Sequence, residues 1–237
     1  MKESNFKLVV GLLRLSFIAG VMLLTLYSCK HKGGRYINEG EIHFTIDYIK
    51  SSGTMAAELK PRNLIVSFKD DKILFEILAP IGSQGITNIV NPEEDIYDTY
   101  INLFGGRYYY AGGVGEIHPG LNSMKGAEII KTDKTRVICG YNCKNAEVIF
   151  PVDRDKIYDF WYTDEIKVKN SNVSTPFDQI DGVLLSFYYL LGGSEMKFEA
   201  ETVYDKEITD KSFDRKPKYK LVSKNNMDDL ITRMVNL

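Results

Sequence analysis

Glu41-Ile42-His43-Phe44-Thr45-Ile46-Asp47-Tyr48 is the stretch that decides how this chain folds. Apolar and polar residues alternate without a slip, so extended backbone puts Ile42, Phe44, Ile46 and Tyr48 on one face and Glu41, His43, Thr45 and Asp47 on the other. A strand with one apolar face needs a cover, and the same period continues on the C-terminal side. Residues 64–68 and 73–78 flank Lys69, Asp70, Asp71 and Lys72, a polar turn, and so read as a hairpin. Segments 86–90 and 96–101 flank a second turn cluster at 91–95. Further strands fit 107–111, 127–132, 136–138, 146–150 and 157–163, with a turn at 151–155. The longest, 183–191 and 196–208, are parted by Gly192 and Gly193. The count is ten or eleven antiparallel strands.

Helical period is almost missing. Asn226 is placed to cap a helix with Asp228 and Asp229 in its first turn, Arg233 in its last, and Leu230, Ile231, Met234 and Val235 as its apolar residues. A weaker second helix fits 55–59, ended by Pro61. So little helix cannot cover both faces of so many strands. The expected fold is therefore mainly β, a single curved antiparallel sheet forming a half-barrel with one C-terminal helix and a short second one. A β-sandwich is the alternative. Residues 112–126 hold five glycines and a proline and read as a mobile loop at a rim. Beside them Arg107, Tyr108, Tyr109 and Tyr110 put aromatics on both faces of one strand, which makes it interior on both sides or ligand-facing.

Composition bounds the rest. The chain has 237 residues and a formal charge of -2. Lys2, Lys7 and Arg14 form a basic leader, 15–27 carries no charge, and Ser28 precedes Cys29, which is the layout of a secretory signal peptide. Thirteen residues of helix rise about 20 Å, short of a hydrocarbon core of about 30 Å. An uncut signal anchor is the competing reading. Without 1–28 the body carries a charge near -4, too acidic for a nucleic-acid partner. At 44% hydrophobic residues, with 15 Tyr and 12 Phe, the whole chain can bury a substantial core. The organisation expected is leader 1–28, tether 29–40 and one β-rich domain over 41–237, working as a monomer.

Catalytic chemistry finds little to stand on. Cys139 and Cys143 could form a disulfide, but on one extended strand they lie about 13 Å apart, against the roughly 4.4 to 6.8 Å a bridge spans. A turn at Gly140, Tyr141 and Asn142 would be needed. No CxxC spacing suggests a metal. His43 sits on the polar face of its strand and His118 precedes Pro119 in the glycine-rich loop, so both read as surface or loop residues. Neither GxSxG nor HExxH occurs. Asp164 and Glu165 read as a solvated turn. The expectation is a protein that is not an enzyme and needs no cofactor or metal.

The apolar run Val183, Leu184, Leu185, Phe187, Tyr188, Tyr189, Leu190 and Leu191 is interrupted only by Ser186. It is either a central strand of an ordinary core or one wall of a greasy cavity.

Two resemblances bear on location. Leu26-Tyr27-Ser28-Cys29 resembles the bacterial lipobox, although Tyr27 is bulky for it. That resemblance implies cleavage between Ser28 and Cys29 and lipid attachment at Cys29, an outer-membrane anchor of more than one acyl chain. Lys30, His31 and Lys32 favour the periplasmic face. From Ile138 the pattern Gly140, Tyr141, Cys143, Lys144, Ala146, then Phe160, Trp161, Tyr162, Thr163, Glu165, then Pro176, Phe177, Ile180, Gly182, Leu184 and Leu185 resembles the GLPGLI-type family of exported proteins of unknown function. Its eponymous motif is degraded here to Ile180-Asp181-Gly182-Val183-Leu184. Phe213, Pro217 and Tyr219 match the ending of that family. The architecture is similar to the LolA and LppX group of lipid carriers, whose curved sheets close around a hydrophobic cavity. Two function classes follow. One is a tethered periplasmic lipoprotein binding a lipid or acyl chain, with Tyr108, Tyr110, Phe187, Tyr189 and Leu191 as lining. The other is a non-catalytic envelope structural or interaction lipoprotein without a ligand.

Overall fold

Two meanders meet along one seam. The computed structural model describes residues 36–54, 56–80, 85–103 and 105–236; the leader, Ser28 and Cys29 lie outside the described residues. Among these, β1 (Glu39–Lys50), β2 (Asn63–Lys69), β3 (Lys72–Leu78), β4 (Gly85–Asn91), β5 (Ile96–Leu103) and β6 (Gly106–Gly112) pair successively as hairpins. The second meander is β7 (Glu128–Ile138), β8 (Tyr141–Phe150), β9 (Asp153–Thr163), β10 (Val183–Leu191) and β11 (Ser194–Tyr204). Antiparallel pairing of β1 with β11 joins them, Thr45 opposite Glu199 and Ile46 opposite Phe198. A two-residue strand, β12 (Lys220–Leu221), adds in parallel to β6. The result is one open, curved twelve-stranded sheet, a half-barrel as expected and not a sandwich, with more strands than the pattern predicts and a parallel edge.

The turns follow from their residues. Lys69 pairs with Lys72 across a two-residue turn, and Asp70 takes φ 54° there, as its short polar side chain allows. Gly192 and Gly193 hold φ 56° and 84° between Leu191 and Ser194, the twist a tight hairpin favours. Segments 127–132 and 136–138, predicted separately, are one strand with an irregularity between Lys131 and Thr135. Strand β11 ends at Tyr204, short of the predicted Ile208, because Ile208 leaves the sheet to be buried elsewhere.

Three pieces fill the concave face. Helix α1 (Lys224–Val235) buries Met227, Ile231 and Met234 and packs against β5, β6 and β10. It begins before Asn226: Ser223 is the N-cap, its hydroxyl accepting from the Asn226 backbone N–H. The second filler is the β6–β7 connection, expected to be a mobile rim loop. β6 and β7 lie at opposite ends of the sheet order, so their link crosses the bowl and buries His118, Leu121 and Met124. Its glycines serve close approach; at Gly120 a Cβ would stand 3.0 Å from Ile231. The third is 164–182, which buries Ile166, Phe177 and Ile180.

A strap closes the convex face over β3 to β6. Ile208 and Phe213 cover Leu74, Ile89, Ile96 and Tyr100, with Tyr109 and Tyr219 at the margin. Asp98, fully buried, accepts from Arg215 Nε at 2.7 Å and from the Tyr100 hydroxyl at 2.7 Å, and this pins the strap. The predicted helix at 55–59 is a single 3-10 turn, Ala57–Leu59, burying no residue. Ahead of β1, Ile37 is buried, and its carbonyl accepts from the Lys167 N–H. No helix among the described residues is long and apolar enough to cross a membrane.

Candidate binding site

The interior is an aromatic stack. Phe187 lies parallel to Phe198 at 4.8 Å between ring centres, Phe44 meets Phe187 edge-on at 5.6 Å, and Phe177 meets Phe160 at 4.8 Å. Tyr189 stacks on Phe177 at 6.1 Å and on Phe75 at 5.9 Å. These rings come from β1, β3, β9, β10, β11 and the 164–182 segment, so the fillers interlock with the sheet. Offset and edge-on pairs of this kind add about 0.5 to 1.5 kcal/mol each beyond area burial.

Two small, partly open spaces border the aromatic stack among the described residues. The larger, about 80 Å³, lies between the sheet and the 171–175 segment and is lined by Phe44, Val66, Phe75, Phe187, Tyr189 and, at a polar end, Asn88 and His118. The smaller, about 30 Å³, lies among Tyr48, Ile77, Leu191, Met196 and Met234. The five predicted lining residues therefore separate: Phe187 and Tyr189 border the first, Leu191 the second, and Tyr108 and Tyr110 pack on the core beside neither. Tyr110 instead donates to Glu116 at 2.7 Å, and burial with that carboxylate pushes its hydroxyl up to about 12. Tyr109 points the other way and stacks on Tyr100 at 5.6 Å, so the tyrosine strand is interior on both sides. Small-molecule sites usually enclose about 300 to 1,000 Å³. Two open surface clefts reach about 610 and 770 Å³, but both are rimmed mainly by charged side chains, amides and glycines.

The polar end of the 80 Å³ seam was not legible in the sequence. Asn88 and Thr99 are register partners on β4 and β5, and Thr99 Oγ1 is 3.0 Å from His118 Nδ1. His118 is buried, not a surface or loop-tip residue; its backbone N–H donates to the Ser174 carbonyl and so ties the two filling loops together. Burial, aided by the nearby Lys224 charge, lowers its pKa to about 4. The imidazole is neutral at neutral pH. Asn88 Oδ1 and Ser174 Oγ are buried without hydrogen-bond partners. The signal that could have found this loop is Ile117, Leu121 and Met124, apolar at spacings of four and three within the glycines.

Asn172 holds the turn at 180–182. Its amide donates to the carbonyls of Ile180 at 2.7 Å and Gly182 at 2.9 Å. Gly182 is needed there, because a Cβ would stand 2.7 Å from the Thr163 carbonyl oxygen.

Cys139 and Cys143, the cysteines among the described residues, are free thiols, not a bridge. The turn is Cys139-Gly140, one position earlier than a bridge would need, with φ 51° and 84°, so Cys143 falls opposite Arg136 inside β8. Cys139 Sγ donates to the Ala200 carbonyl and Cys143 Sγ to the Tyr141 carbonyl. Burial pushes the Cys143 thiol up to about 12, which leaves it a poor nucleophile. His43 stays on the polar face, bonded to Glu41 and edge-on to Tyr204. Asp164 pairs with Lys144, and Glu165 accepts from the Asn142 amide. No group of three metal-ligating side chains occurs among the described residues.

No family model and no curated protein matches the chain. Two solved structures of PNGF-II, in the C2 and P21 space groups, are similar to it, with TM-scores of 0.52 and 0.53 and identities of 18% and 19%. The likeness covers 81% and 82% of this chain but only 32% and 33% of theirs, so the chain spans about a third of their length. At such identity it shows a shared fold alone.

Proposed function

We propose that this chain is a lipid-tethered, exported envelope protein that acts without catalysis, and that its half-barrel is a solid scaffold presenting surface, not an acyl-chain carrier. The observation carrying this reading is the filled bowl. The space that Phe187 and Tyr189 border, about 80 Å³, is smaller than the cavity of about 150 Å³ that admits benzene, and an acyl chain would have to displace Phe177 or Tyr189. Support for the tether is the leader and Cys29, in the arrangement described above, with the GLPGLI-type resemblance as a second pointer to export. A carrier remains the second reading on one observation: Phe187 and Tyr189 do border the same seam.

Native mass spectrometry of the body, expressed without its leader and purified without detergent, separates the two. The expected mass is that of the bare polypeptide. Acyl species leaving with the protein would favour the carrier and overturn the solid scaffold. Labelling cells with a fatty-acid analogue tests the tether: wild type should take the label and Cys29→Ala should not.

A further inference from the structure

The seam combines features that a filled core does not need. Its walls are mostly apolar, its one imidazole is uncharged, and no charged side chain lines it. At one end Asn88 offers a buried carbonyl oxygen with no partner, and Ser174, between the lining residues Val173 and Thr175, holds a buried hydroxyl in the same condition. Leaving a buried polar atom unpaired costs about 1 to 3 kcal/mol. The fold therefore carries one such penalty, at Asn88, on the wall of a space able to relieve it. About 80 Å³ exceeds the roughly 30 Å³ share of one water, yet excludes a ring.

We propose that this seam is a binding site for a small neutral molecule of about four heavy atoms with a hydroxyl donor at one end and a short aliphatic body, the hydroxyl bonding Asn88 Oδ1. An ion is disfavoured because nothing charged faces the space to repay its desolvation. The aliphatic body would rest on Val66, Phe75 and Phe187, where burial supplies about 25 cal/mol per Å². The site is independent of the tether and too small for the acyl cargo of a carrier.

2-Propanol and acetone share one heavy-atom skeleton, and only the alcohol donates. Titrating each into the full-length body while following the methyl resonances of Ile42, Val66 and Val90 by NMR tests the proposal. Saturable shifts are expected for 2-propanol, with acetone about tenfold weaker, the worth of about 1.4 kcal/mol. Asn88→Leu should reduce 2-propanol binding to the level of acetone. Equal affinity for both probes would overturn the role of Asn88. Shifts that stay linear for both probes would mean the seam holds only water or nothing, and would overturn the site. Should Asn88→Leu fail to fold, the two probes on the wild-type protein decide.

Discussion

His118 shows how one side chain can make the closed bowl depend on pH. Its value of about 4 in the folded protein lies below the usual 6.5, and burial is the main cause. The unfolded chain therefore takes up the proton first, so stability is full above about 6.5 and falls as pH drops from there towards 4. A depression of this size corresponds to roughly 3 kcal/mol. Urea unfolding at pH 7 and at pH 4.5 should show wild type losing more stability than His118→Gln; equal losses would mean that the imidazole is not held dry. The Lys224 charge lowers the value further and Glu116 works against it, while Thr99 Oγ1 lies 3.0 Å from Nδ1. None of this was legible in sequence, where His118-Pro119-Gly120 has the look of an exposed turn. Glycine there signals backbone that must pass close to other atoms, and the sequence alone does not tell whether those atoms are water or protein.

At the scale of elements, the strands were legible because their period of two is dictated by a sheet with one face buried. The octapeptide 41–48 became the middle of β1, and the Lys69-Asp70-Asp71-Lys72 turn sits where its residues placed it. What escaped was every piece whose order comes from tertiary contact alone: the filling loops and the 205–221 strap. The strap contributes Ile208, Phe213 and Arg215, residues with no periodicity to betray them. Its anchor is testable. Arg215→Ala leaves Asp98 as a buried carboxylate without its cation, a change that costs about 3 to 5 kcal/mol in such pairs. Arg215 is half exposed, so the lower end applies. The variant should also be cleaved by protease within 205–217 under conditions where wild type is intact. Cleavage at the same rate in both would show that the apolar contacts of Phe213 hold the strap unaided.

Across the whole molecule, an open sheet must guard two edges. At one, β12 covers two residues of β6. At the other, β7 is exposed along most of its length but carries the irregularity between Lys131 and Thr135, and Lys131 and Lys134 project from it. Charges and a local bulge are the usual protection of an edge against pairing with another chain. Replacing both lysines by valine should therefore raise self-association, seen as faster-sedimenting species at micromolar concentration; sedimentation unchanged from wild type would place the protection in the backbone irregularity alone. The seam between the meanders has a consequence in time. β1, near the start of the chain, finds its second neighbour only in β11, as Thr45 waits for Glu199. A ribosome delivers the early meander whole while its first strand is still one-sided, so completion of the bowl is postponed until β11 emerges. Pairings this distant fold slowly, and the newborn half-sheet would benefit from an escort that shields β1 until its late partner arrives.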